Sequence, residues 1–235
     1  MARSPRYGFD APPIPAALGV AGVACGLAAA RSGRTAPVRV GQAAVAALLL
    51  AQSGLFLHTT LRGKRRVWAR ELDRAGLAGD ELLLDLGCGR GLVLISAAGR
   101  LPAGRAVGVD RWTRDQSGNR PDATLANAAA AGVAERVEVQ TADMTALPFA
   151  AGSFDVVTSA MAIHNIRSPG DRYRAVDEAM RVLRPGGQLL LADPPSMARK
   201  YASHLGGAAT LRDLGPGYWY GGPWFGVTLL HAVKA

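Results

Sequence analysis

Sulfur chemistry is nearly absent from this chain. Its 235 residues include two cysteines, Cys25 in an apolar stretch and Cys88 between two glycines. Two isolated thiols exclude a disulfide framework and imply no metal site. Charge is missing in two places: residues 11–30 and 40–60 contain no Asp, Glu, Lys or Arg. Each stretch has about the ~20 residues that a helix needs to cross a hydrocarbon core of roughly 30 Å. Acids are scarce early, since residues 1–80 carry 11 Lys/Arg against 4 Asp/Glu while residues 81–235 carry 16 against 14. The basic excess therefore belongs to the N-terminal third, and nothing in the remainder suggests nucleic-acid binding.

The most informative residues present run from Leu82 to Gly91. Leu82-Leu83-Leu84 leads into Asp85, then Gly87, Gly89 and Gly91 follow at a spacing of two, and Leu92-Val93-Leu94-Ile95 begins a helical pattern. This reads as a buried strand, a turn whose backbone lets a ligand approach closely, and a helix whose free N–H groups face that turn. The acid lies inside the strand end, unlike the Gly-x-Gly-x-x-Gly dinucleotide pattern whose acid comes about 20 residues later. A second strand, Ala106–Asp110, also ends in an acid, and a third run from Val137 ends at Asp143 followed by Met144. Further on come Leu147-Pro148-Phe149, a strand over Phe154–Ser159, and Arg181–Gly187 turning through Pro-Gly-Gly into the strand Gln188–Asp193. One strand-end acid is ordinarily a solvated rim carboxylate. Three at the C-terminal ends of successive strands mark the edge where open α/β sheets collect ligands.

These motifs in this order resemble those of class I S-adenosylmethionine (SAM) methyltransferases, in the branch that includes quinone, sterol and small-molecule enzymes. The resemblance covers about residues 66–235. It implies an α/β, Rossmann-like, doubly wound sheet of seven strands with the last antiparallel, and SAM as cofactor. It further implies that Asp85 orients the cofactor's ammonium, that Gly87, Gly89 and Gly91 pass beneath its methionine portion, and that Cys88 fills the turn as a small residue. Asp110 would hold the ribose hydroxyls, Asp143 would accept from the adenine amine, and Met144 would pack on the ring. Arg111 and Ser159 join the implied cofactor contacts. Where substrates approach, past the fourth strand, stands His164. It is either a base or substrate contact, or a structural hydrogen-bonder, and a base is needed only for a protonated nucleophile. Two features depart from the family pattern. Residues 111–121 form an insert in which Trp112 either covers the adenine, faces lipid, or is the one anchoring aromatic of a surface loop. Asp193-Pro194-Pro195 reads as a strand-to-helix turn with proline at the helix start. Tyr218-Trp219-Tyr220 and Trp224 either line an apolar pocket or brace the last hairpin.

Residues 1–65 read as a membrane anchor of two helices, about 11–30 and 40–60, ahead of a catalytic domain over 66–235. The second segment is strongly apolar and the first weaker, with Pro12, Pro13 and Pro15 near its start. Gly22-x-x-x-Gly26 would let the helices approach closely within lipid. Arg62, Lys64, Arg65 and Arg66 follow the second segment as a cytoplasmic flank does, although Arg31, Arg34 and Arg39 sit in the intervening loop. A signal peptide and a water-soluble hairpin are the rival readings, and an exported SAM enzyme would be stranded from its cofactor. His58 is interfacial. The expected protein is a methyltransferase anchored to the cytoplasmic membrane, facing the cytoplasm, with a small, hydrophobic or lipid-like acceptor. A soluble acceptor and a non-catalytic SAM-binding membrane protein are the alternatives.

Overall fold

The computed structural model describes residues 5–31, 33, 35–112, 118–207 and 209–235. After an extended N-terminal segment the chain forms α1 (Pro13–Arg31) and α2 (Ala36–His58), which run antiparallel as a hairpin. A five-residue π-helical turn over Thr59–Gly63 joins α2 to α3 (Lys64–Arg74) without a break in the helical column. Strands and helices then alternate: β1 (Leu82–Leu86), α4 (Leu92–Ala98), β2 (Arg105–Asp110), α5 (Pro121–Ala130), β3 (Val137–Thr141) and β4 (Phe154–Ala160). α6 (Pro169–Val182), β5 (Leu183–Asp193), α7 (Pro195–His204), β6 (Ala209–Asp213) and β7 (Thr228–Val233) complete the chain.

The seven strands lie in the order β3-β2-β1-β4-β5-β7-β6. All neighbours from β3 to β5 are parallel, and β7 is antiparallel to both β5 and β6. This is the expected Rossmann-like sheet with its last strand reversed. Winding changes direction between β1 and β4, so a crevice opens beyond the carboxyl ends of those two strands. The inner strands β1, β2 and β4 and the second half of β5 are largely buried because both their faces are covered, while the edge strands β3 and β6 are more exposed. One face buries Trp68, Leu72, Leu94 and Tyr218, the other Phe154, Val176, Leu189 and Tyr201. The Ser168 hydroxyl accepts from the Asp171 N–H at 3.3 Å and caps α6, so the helix begins at its proline.

The hairpin is built along a line of small residues. Leu50 lies 2.9 Å from where a β-carbon on Gly22 would stand, Gly26 sits opposite Ala46, and Gly19 opposite Ser53. The Ser53 hydroxyl donates to the Pro15 carbonyl at 2.8 Å. Away from this seam the helices present Val20, Val23, Leu27, Val40, Leu48 and Leu57 uncovered. Both helices are long and apolar enough to cross a membrane by length and composition. They begin at 13 and 36, against 11 and 40 as expected from the sequence.

Two placements differ from the sequence reading. Residues 5–12 pack on the α/β domain, where the Asn127 side chain pairs with both the N–H and the carbonyl of Arg6. Lys64, read as part of the basic flank that follows the second segment, is only 5% exposed and forms an ion pair with Asp10 at 2.7 Å. Its neighbours Arg62, Arg65 and Arg66 are exposed. The π-helical turn accounts for this by advancing the helix by part of a turn ahead of α3. Gly63 permits it, since a β-carbon there would overlap the carbonyl oxygen of Gly217.

Candidate active site

A cavity of about 760 Å³ occupies the crevice and continues to the base of the hairpin. Its inner wall holds Asp85, Gly87, Cys88, Gly89, Asp110, Arg111 and Met144. His164 and Asn165 face it from the loop after β4, and Ile14, Phe56, Tyr220, Trp224 and Phe225 complete its outer part.

The strand register assembles the inner wall. Asp85 sits level with Gly108 on one side and Thr158 on the other. Its carboxylate accepts from the Thr158 hydroxyl at 2.8 Å and from the Leu94 N–H at 3.2 Å. It is 2% exposed, and burial pushes its pKa up to about 7 despite those two donors. Gly87, Gly89 and Gly91 all have positive φ, as the tight turn requires. A β-carbon on Gly87 would collide with the Ala162 side chain, so the backbone passes where no side chain fits.

Asp110 closes the next position. One of its oxygens accepts from the Gly89 N–H at 2.9 Å, and the other from the Trp112 N–H at 2.6 Å and the Asn119 amide at 3.3 Å. The same carboxylate thus ties the glycine turn to the start of the insert. Of that insert, residues 113–117 lie outside the described residues. The Trp112 indole N–H donates to the Thr141 hydroxyl at 2.7 Å, which fixes the ring beside the end of β3. Among the described residues, three other than glycine adopt positive φ: Ala11, Trp112 and Met161. Ala11 and Met161 line the cavity and Trp112 adjoins it through Asp110, and backbone strain of this kind gathers at functional sites.

Three of the expected contacts stand off the cavity wall. Asp143 accepts from the N–H and hydroxyl of Thr145 and faces the Arg111 guanidinium at 3.4 Å, an arrangement that lowers its pKa, chiefly through the Thr145 N–H. The buried Ser159 hydroxyl donates to the Leu86 carbonyl, and Gly91 forms the left-handed start of α4 against Thr124 and Ile95. Cys88 lines the wall as a thiol. Burial, with the nearby Asp85 and Asp110 carboxylates, pushes its pKa far up, which rules against a nucleophilic thiolate.

The sequence reading missed one pairing. His164 Nδ1 lies 2.8 Å from Asp193 Oδ1, and the His164 backbone N–H donates to Oδ2 at 3.1 Å. Asp193 is fully buried, and burial pushes its pKa up against those donors. An Nδ1–H donated to that carboxylate would leave the Nε2 lone pair free. The available signal was that β4 and β5 are neighbours, one ending just before His164 and the other at Asp193. A second unanticipated group stands in the outer wall. Asp10 accepts from Lys64 with both oxygens, at 2.8 and 2.7 Å, and from the Tyr220 hydroxyl at 2.8 Å.

Residues 84–191 match the family described as "Methyltransferase domain". The chain is 36% identical to the nocamycin O-methyltransferase of Saccharothrix syringae over 156 residues, 64% of this chain and 51% of that protein. It is 32% identical to the ubiquinone/menaquinone biosynthesis C-methyltransferase UbiE of Geotalea daltonii over 141 residues, 59% of this chain and 57% of that one. The chain thus spans about half the length of these curated relatives. Its fold is that of geranyl diphosphate C-methyltransferase from Streptomyces coelicolor, solved with S-adenosyl-L-homocysteine, at a TM-score of 0.55 and 19% identity over 71% of this chain and 78% of that one. The strand-end acid, the turn of positive-φ glycines and the seven-stranded sheet with its last strand reversed agree with the match of residues 84–191 to that methyltransferase family, and the sheet has the fold of those enzymes.

Proposed function

We propose that this protein is a membrane-anchored, SAM-dependent methyltransferase acting on a small apolar or lipid-like acceptor from the cytoplasmic side. One observation carries the reading. The cavity that begins at the glycine turn ends against Ile14 and Phe56, at the foot of two helices whose outer faces are apolar and uncovered. Each large apolar side chain left in water forgoes roughly 1.5–3 kcal/mol of burial, a cost that lipid removes. Arg62, Arg65 and Arg66 stand exposed at the hairpin's foot, as a cytoplasmic flank requires, and the exposed Trp224 and Phe225 suit an interface. An acceptor dissolved in the bilayer would reach the cavity without crossing water.

The inner wall fits the cofactor. Gly87 leaves a cradle that a β-carbon would fill, and Asp85 is a buried carboxylate able to pair with an ammonium. Asp110 would hold the ribose diol, Met144 would pack on the adenine, and Asp143 would receive the adenine amine at the rim. When bound, SAM supplies a methyl group on a sulfonium. The chain's own part is to orient the acceptor, exclude water and accept a proton. Nε2 of His164, steered by Asp193, would take that proton from a hydroxyl acceptor.

The decisive experiment incubates the detergent-solubilised protein with methyl-labelled SAM and a total lipid extract. Label in an organic-extractable species is the expected result. Label appearing only with cytosolic extract would overturn the apolar acceptor, and SAM binding with no transfer to either extract would overturn catalysis.

Asp85 adds a pH signature. Its raised pKa means that the folded protein holds a proton between the ordinary carboxylate range and about 7, so stability falls as pH rises through that window. A cationic ammonium needs the ionised form. Affinity for SAM should therefore drop as pH falls below about 7, by about tenfold per unit at the limit. Titration calorimetry from pH 7.5 to 5.5 checks this, and Asp85→Asn should bind weakly with a flat profile. An equally steep profile in that variant would remove Asp85 from the cofactor site.

A further inference from the structure

The cavity has a second polar station besides the glycine turn. Lys64, Asp10 and Tyr220 all line it, beside Phe56 of the hairpin. Burying an ammonium and a carboxylate costs several kcal/mol per ion after relaxation, and apolar residues of similar volume commonly tie two segments together as well. A pair placed in a cavity wall can instead read a ligand. Asp10 engages two of the three donors on Lys64, and the third has no hydrogen-bond partner among the described residues. Tyr220 keeps its proton, because burial and the Asp10 carboxylate push its pKa far up, and it gives that proton to Asp10, so its oxygen is left as an acceptor. Lys64 is also the one inward-turned residue of its basic run, through the π-helical turn and the close approach at Gly63.

We propose that Lys64 and Tyr220, positioned by Asp10, anchor the acceptor by a ring hydroxyl of phenol or enol type, which accepts from the Lys64 ammonium and donates to the Tyr220 oxygen, with its apolar part against Phe56. The assignment rests on the membrane methyltransferase reading above and names its substrate class. Charge decides the class. Asp10 neutralises Lys64, so the station offers one directed N–H donor and one hydroxyl acceptor without net positive charge. It suits an uncharged or weakly acidic oxygen and disfavours a carboxylate or phosphate headgroup.

The test uses the full chain in detergent, loaded with S-adenosyl-L-homocysteine, and follows quenching of tryptophan fluorescence, since Trp68 and Trp224 line the cavity. The probes are 4-dodecylphenol, dodecylbenzene and dodecanoate. The phenol is expected to bind about tenfold or more tightly than the hydrocarbon, as loss of a hydrogen bond to a charged donor implies. The double variant Lys64→Met/Asp10→Asn, which leaves no unpaired buried charge, should lose that preference while keeping its S-adenosyl-L-homocysteine affinity. Lys64→Arg should keep part of it. Tyr220→Phe, which buries no new charge, should lose a smaller share and serves if the double variant does not fold. A phenol preference that survives in these variants, or tighter binding of dodecanoate, overturns the proposal. The assay needs no turnover, so a failed label transfer with intact phenol selectivity would count against the catalytic reading alone.

Discussion

Alanine in place of Asp110 should weaken the binding of SAM or S-adenosyl-L-homocysteine about 100-fold or more, read by titration calorimetry. Two contributions act together. Two charge-assisted hydrogen bonds to a ribose diol are worth about 1.5–3 kcal/mol each, and even the lower figure for both gives about a factor of 100. The same carboxylate holds the Gly89 and Trp112 N–H groups, so its loss also releases the turn that would lie under the cofactor. Asp110→Asn separates the two, because an amide oxygen can keep one of the backbone bonds while the charge is gone. Its affinity should fall between wild type and alanine. Unchanged affinity in the alanine variant would remove Asp110 from the cofactor site and leave it a loop tie.

The α/β architecture was legible because it is written locally. A buried parallel strand is a continuous apolar run, and three of the runs here carry an acid at or near their end: Asp85, Asp110 and Asp193. The glycines after β1 were legible for the same reason, since positive φ at three alternate positions leaves little choice of residue. What escaped depends on which distant segments meet. Asp193 becomes the partner of His164 only through the adjacency of β4 and β5, so the motif Asp193-Pro194-Pro195 showed its turn and not its use. Lys64 looked like one more base of the flank because the π-helical turn that rotates it inward has no periodicity to betray it. The segment 5–12 has neither helical nor strand pattern. Its place on the domain follows from side-chain bonds to Asn127, Lys64 and Tyr220. Asp143 and Ser159 show the converse limit. A residue type at the right strand end does not say whether its side chain faces the crevice, the rim or a neighbouring carbonyl.

His164→Ala should lower methyl transfer to a hydroxyl acceptor by about 10²–10⁴-fold, the range that a positioned general base contributes, while leaving cofactor affinity unchanged. The geometry explains both halves. His164 lies in the loop after β4 and faces the cavity, and its Nδ1 and backbone N–H are both engaged by Asp193 rather than by the glycine turn. That double engagement would hold the imidazole with Nδ1 toward Asp193 and leave Nε2 for the acceptor's proton. Asp193→Asn should therefore cost nearly as much as His164→Ala, because an amide in place of the buried carboxylate no longer fixes the imidazole tautomer. If the two act as one unit, the double variant His164→Ala/Asp193→Asn will be no slower than the worse single variant. A dyad that merely braces the β4–α6 loop against β5 predicts a different pattern: lower thermal stability in each variant, additive in the double, with turnover following the fraction folded. Steady-state rates and melting temperatures for the four proteins distinguish the two. Full turnover in a folded His164→Ala protein would assign the acceptor's proton to another group.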